Sequence, residues 1–186
     1  MNKLERNLID NILESEVKLG RACDPITFYY PQSSLTELLD CSVDKLPVKI
    51  AEFLENEKDR LGNVIIGELE NEKGRYAVKI PAEGVAWVHK NYEPSDFMKE
   101  FVQEIQKPHN TLENIAELFR RYSSEIMISK VSEDEWVFSF KDDAIDSYVY
   151  HIEQNVFGLE YHRFTRESYN KMMGEEYLHG RVFGRV

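Results

Sequence analysis

Cysteine is nearly absent from this chain. Only Cys23 and Cys41 occur among 186 residues, and they form no Cys-x-x-Cys pair. Neither a disulfide framework nor a zinc knuckle is implied, so free thiols in a reducing compartment are expected. Long apolar runs are missing as well: none approaches the roughly 18 residues a membrane-spanning helix needs. The opening stretch MNKLERNLIDNILESEVKLG carries charges on both sides of its apolar pairs. That is the pattern of an amphipathic helix and not of a secretory signal, and a cytoplasmic location is expected. Positive charge is scarce, with 23 Lys+Arg against 34 Asp+Glu and a net charge of −11. The shortfall is general: residues 1–92 hold 12 basic and 16 acidic side chains, and the remainder 11 and 18. Affinity for nucleic acid rests on neutralising phosphates with Lys and Arg, and anionic lipid selects basic amphipathic faces, so both classes of partner are disfavoured.

The signatures of several chemistries are also lacking. Gly180–Gly184 has neither the spacing nor the lysine of a phosphate loop, and no Gly-x-Ser-x-Gly elbow occurs. The five histidines, His89, His109, His151, His162 and His179, include no His-x-x-x-His pair. The acidic run Asp142, Asp143, Asp146 lacks the glycine and the terminal glutamate of a calcium loop, and reads as a solvated turn or a helix start. No cofactor and no metal are implied.

What is present is the material for a core: 42% hydrophobic and 12% aromatic residues. A chain of this length buries roughly 70% of its unfolded surface, as one ample domain or two small ones. Leu4, Leu8, Ile9, Ile12, Leu13 and Val17 recur at helical spacing and stop at Gly20. Ile26–Tyr30 lies between Pro25 and Pro31 and reads as a short edge strand. Ser34 and Glu37 make a capping box for a second helix, with Leu35, Leu38 and Leu39 on its apolar face. A third helix is predicted from Asp44 to Leu61, with Pro47 in its first turn and Gly62 after its end. Val64–Leu69 and Arg75–Ile80 form a hairpin around Glu70–Gly74. A short segment, Ala82–Asn91, follows, with Val85 and Val88 turned to the core, and Tyr92–Pro94 marks a boundary.

Beyond it, Ser95 and Thr111 cap two more helices, and strands are predicted at Glu125–Val131 and Glu135–Phe140. The segment from Asp143 to Asn155 suits helix or strand. Ser147–Ile152 is rich in strand formers, and we take it as a strand pairing with Leu159–Phe164 through a loop near Gly158. Thr165 caps a last short helix, and the tail after Gly174 is expected to be loosely held. The fold class is therefore α+β: a first domain over 1–92 with the order helix, strand, helix, helix, β-hairpin, and a second over 93–186. The second carries two helices, a small antiparallel sheet and a short C-terminal helix.

The order in residues 1–92 resembles the winged helix-turn-helix superfamily, with Phe28-Tyr29-Tyr30 as the lone strand, SSLTELLDCSVDKL as the helix-turn-helix and Val64–Ile80 as the wing. That resemblance makes Asp44–Leu61 the recognition helix. Its predicted solvent face, Asp44, Lys45, Lys49, Glu52, Glu55, Glu57, Lys58, Asp59 and Arg60, carries more carboxylates than cations, and the wing turn carries Glu70 and Glu72. A base-reading surface wants the opposite balance. Through LERNLIDNIL and Glu160–Thr165 the whole chain also resembles a family of uncharacterised proteins from anaerobic Gram-positive bacteria, a resemblance that implies no activity.

One cluster invites a chemical reading. If Ser147–Ile152 and Leu159–Phe164 are hairpin partners, His151 and His162 fall near each other, with Glu153, Glu160 and Arg163 close by. Histidine with carboxylates can bind a metal or act in acid–base catalysis. The same residues equally suit ordinary cross-strand pairs on a half-exposed sheet. Phe28, Tyr29 and Tyr30 could stack bases or line a pocket but read as core and strand edge, and the ten tyrosines of the chain support a protein-binding role. The leading expectation is a non-enzymatic protein-interaction or regulatory module. The alternative is a small ligand-binding protein or enzyme using the C-terminal sheet, and a third reading is a DNA-binding transcription regulator.

Overall fold

The computed structural model describes residues 2–22 and 24–178, with side chains as far as Met173. Cys23, His179 and the Gly180–Gly184 stretch lie outside the described residues, as does most of the tail after Gly174. The chain divides into two compact units, one ending at Pro94 and one beginning at Ser95. Among the described residues there are seven α-helices and two sheets, of three and four strands. This α+β architecture holds more helix than the predicted order allows.

In the N-terminal unit, α1 (Lys3–Leu19) starts where Asn2 Oδ1 accepts the Glu5 amide at 2.7 Å. It ends at Gly20, whose φ of 66° is one that glycine adopts freely. Its apolar stripe, Leu4, Leu8, Ile9, Ile12 and Leu13, is buried. Strand β1 (Ile26–Pro31) leads directly into α2 (Gln32–Leu38). The Ser34–Glu37 capping box does not form. The helix begins two residues earlier, after Pro31, because proline's fixed backbone ends the strand and leaves no room for a serine cap.

A single 3-10 turn (Val43–Lys45) precedes α3 (Leu46–Leu61), so Pro47 sits in the first α-turn, where its missing N–H costs nothing. Strands β2 (Ile65–Leu69) and β3 (Glu72–Ile80) form the hairpin. Its turn is tighter than predicted, because Gly74 lies within β3 at φ 79° and donates its amide to Glu68 Oε1 at 2.6 Å. The sheet order is β1-β3-β2, all antiparallel, with Phe28 opposite Val78 and Ile66 opposite Val78. Tyr30 ties β1 to α1: its hydroxyl donates to Asn7 Oδ1 at 2.8 Å and accepts from Asn11 Nδ2 at 3.0 Å.

Residues 82–91, predicted only as a short segment, are a full helix, α4 (Ala82–Asn91). Gly84 weakens the helical signal in the sequence, yet tertiary contact requires it. A Cβ there would stand 2.2 Å from the Leu61 carbonyl oxygen. Val85 and Val88 are buried as expected. Cys41 is half-buried, and burial pushes its thiol up, away from the reactive thiolate.

The second unit opens with α5 (Asp96–Ile105) and α6 (Leu112–Tyr122), capped as predicted by Ser95 (to the Met98 amide, 3.1 Å) and Thr111 (to the Asn114 amide, 3.3 Å). A four-stranded antiparallel meander follows: β4 (Ile126–Lys130), β5 (Glu135–Phe140), β6 (Tyr148–Asn155) and β7 (Gly158–Thr165). The ambiguous segment is thus a strand. The acidic run before it is a turn, in which Asp142 and Asp146 accept nearby backbone amides. Helix α7 (Arg166–Leu178) closes the unit, with Thr165 Oγ1 accepting the Ser168 amide at 3.0 Å.

One face of this sheet is lined by aromatics. Phe119 from α6 stands 4.9 Å from Phe140 and 5.1 Å from Phe138, and Phe101 from α5 stands 4.6 Å from Tyr150 and 4.8 Å from Tyr161. Among the described residues no helix is long and apolar enough to cross a membrane.

Candidate functional site

Successive strand residues point to opposite faces, so the pairing of β5, β6 and β7 determines which side chains meet. His151 stands opposite His162 and also opposite Val137, which puts the two histidines in one row. The next row on the same face is Glu135, Glu153 and Glu160. His151 is half-buried and its Nε2 lies 2.5 Å from Glu135 Oε1. His162, Glu153 and Glu160 are exposed, and the His162 ring lies 6.4 Å from Phe164.

Arg163 does not join them. Its cross-strand partner is Tyr150, and its guanidinium sits 4.3 Å from the Tyr148 ring on the helix-covered face. The predicted cluster therefore splits. His151, His162, Glu153 and Glu160 share a face with Glu135, a partner the sequence reading did not include, while Arg163 serves the aromatic side. A base paired to a carboxylate is one element of acid–base chemistry. Among the described residues no three His, Cys, Asp or Glu side chains converge as a metal site.

The end of this sheet shows a second feature. The β6–β7 turn presents Val156 and Phe157, each 93% exposed. Hairpin turns ordinarily carry polar residues, and an aromatic in full contact with water gains nothing for the fold. Beside the turn lies a recess of about 260 Å³, formed by Pro108, His109 and Asn110 with the hairpin residues Gln154–Gly158. Asn110 shapes its floor: it is buried, donates to the Glu104 carbonyl at 2.6 Å, and accepts the Thr111 amide at 2.9 Å.

Carboxylates ring the turn. Glu133 and Asp134 lie in the β4–β5 turn at the same end of the sheet, where the Asp134 carbonyl accepts the Gln154 amide at 2.7 Å. Glu153 and Glu160 face each other directly, a like-charge pairing that costs stability. The nearby cations are engaged: Lys130 lies 3.8 Å from the Trp136 ring, and Lys107 is 2.5 Å from Glu104. Motif inspection missed this site because Asn-Val-Phe-Gly is no motif. The available signal was an apolar pair placed between two strands just before a glycine.

In the N-terminal unit the predicted solvent face of α3 needs correction. Glu57 is 3% exposed, and Arg60 reaches inward to Glu5 and Glu57. Both point into the packing against α1, because α3 turns that stripe inward along with Phe53 and Leu61.

A family model with the description "Domain of unknown function, E. rectale Gene description (DUF3877)" matches residues 1–173. No curated protein and no solved structure matches the chain.

Proposed function

The chain belongs to the DUF3877 family, and for this member we propose a non-enzymatic role as a protein-interaction module that docks through the β6–β7 hairpin. The observation that carries this reading is the full exposure of Val156 and Phe157. Two exposed apolar side chains at a hairpin turn are suited to entering a socket on another protein. The surrounding Glu133, Asp134, Glu153 and Glu160 ask for a rim of Lys and Arg on that partner. The same carboxylates would be repelled by an anionic membrane surface.

The N-terminal unit is, in this reading, a winged-helix-like scaffold. Its support is the element order and the pairing of β1 with β3 beside the β2–β3 hairpin. It does not read DNA. Arg60 is engaged by Glu5 and Glu57, and the exposed charges of α3 are three carboxylates, Glu52, Glu55 and Asp59, against the single cation Lys58. A fluorescent duplex at low salt is expected to show no binding; binding that weakens steeply with salt would restore the regulator.

The docking test places a photo-crosslinking phenylalanine analogue at position 157, identifies the crosslinked protein, and titrates that protein in pure form. Burying a phenylalanine contributes about 1.5–3 kcal/mol. Phe157→Ser should therefore weaken binding roughly tenfold or more, and added salt should weaken it further. Equal affinity of wild type and Phe157→Ser would remove the hairpin from the interface.

A further inference from the structure

Two glutamates from different helices meet inside the N-terminal unit, in a feature independent of the hairpin turn. Glu5 on α1 is fully buried and Glu57 on α3 nearly so. Arg60 bridges them: Nη1 donates to Glu5 Oε1, and Nη2 donates to Glu57 Oε1 at 3.0 Å. Nη2 also lies 2.8 Å from Glu57 Oε2, without the angle of a hydrogen bond. The second oxygens, Glu5 Oε2 and Glu57 Oε2, are buried and receive no hydrogen bond. A carboxylate oxygen can only accept. Two buried carboxylates on one guanidinium leave a negative charge in excess and two buried acceptors without a donor, an arrangement that is costly away from water. One proton resolves both problems, by removing the excess charge and supplying the missing donor.

We propose that Glu5 and Glu57 share a single proton, and that this carboxyl–carboxylate bond is a pH-sensitive clamp joining α1 to α3. The electrostatics agree. Burial pushes the Glu57 carboxyl up, as does the charge of Glu5; Arg60 pulls the other way. The other elements packed here add charged groups that are committed elsewhere or exposed. On α4, His89 lies 2.9 Å from Glu16, and Glu83 lies against Gly62. Glu37 is the charged residue of α2, and Asp44 and Lys45 of the 3-10 turn are exposed.

The sign follows from linkage. A carboxyl whose value is higher in the folded state than the ordinary 4.5 holds a proton that the unfolded chain has released. Its contribution is complete below the unfolded value and is lost as pH rises through the folded one. Within that window the unfolding constant rises by up to about tenfold per pH unit.

The test uses the full chain. Carbon-13 NMR of the glutamate carboxyls, from about pH 3 to about pH 9, should show one step of the pair above the ordinary glutamate range. In Glu5→Gln, Glu57 should move back down, because the charge that opposes its ionisation is gone. In urea melts, Glu57→Gln should match wild type at low pH and become the more stable protein as pH rises. Titration of both glutamates in the ordinary range, or a wild-type to Glu57→Gln ratio that stays flat with pH, would overturn the clamp. Should Glu57→Gln fail to fold, the wild-type carboxyl titration decides alone.

Discussion

Gly84→Ala sets two effects of opposite sign against each other. In an isolated helix the change stabilises by about 1 kcal/mol, because glycine has more backbone freedom to lose. In this fold the added methyl would stand 2.2 Å from the Leu61 carbonyl oxygen, 2.8 Å from the Leu61 carbonyl carbon and 3.0 Å from Ile80 Cγ2, where ordinary contact starts at 3.4 Å. Helix α4 would have to move away from the end of α3 by about 1.2 Å, the difference between 3.4 and 2.2 Å.

Little there can yield. The nearest atoms belong to backbone, Leu61 and Ile80 are fully buried, and Gly62 is pressed against Glu83 by the same approach. Overpacking of this kind costs about 1–3 kcal/mol, and more where backbone must shift. The clash wins, and we expect a net loss of about 2 kcal/mol, or roughly 10 °C in the melting temperature of a unit this size. The chain holds two tryptophans, Trp87 on α4 and Trp136 on β5. A Trp136→Phe background therefore leaves Trp87 as the sole indole reporter, placed on the helix that must move. Urea unfolding read through Trp87 should show a lower midpoint for Gly84→Ala. An unchanged or higher midpoint would mean that α4 does not approach α3 this closely, and the packing described for this unit would be wrong.

Phe119→Ala should destabilise the second unit by about 3–5 kcal/mol, seen in melts followed through Trp136, because Phe119 is fully buried among Phe97, Phe138, Phe140 and Tyr150. Burial, with help from a hydrogen bond to Glu100, pushes the Tyr122 phenol up to about 12. Its folded value thus lies above the ordinary 10.0, so its contribution to stability is complete below 10 and is lost as pH rises through about 12. Spectrophotometric titration should lose a tyrosine step near 12 in Tyr122→Phe; an unchanged titration would refute the assignment. Ser95→Ala removes the cap on α5 and should cost about 1 kcal/mol in the same melts.

Local pattern alone was enough for much of this molecule. The periodicity of Leu4–Leu13, the caps at Ser95 and Thr111, the stop at Gly62 and the alternation in β3 are consequences of geometry within a few residues. Their elements stand within two or three residues of where the sequence places them. The His151–His162 pairing was legible for the same reason, since two strands joined by a short turn have only one register that opposes those positions. Arg163 followed from that register too, because neighbouring strand residues face opposite ways, yet proximity in sequence suggested otherwise.

What the sequence could not supply is everything that depends on a distant partner. Helix α4 exists despite Gly84, because the Leu61 carbonyl needs the space that a side chain would fill. Glu57 and Arg60 look like solvent-facing charges on α3, and only the approach of α1, with Glu5 fifty-odd residues away, turns them inward. Nothing in the residue types of Val156 and Phe157 says that they stay in water, where the turn between β6 and β7 leaves them. Helix and strand are settled by neighbours a few residues along the chain, whereas burial, charge pairing and exposure are settled by whichever segment folds back against them.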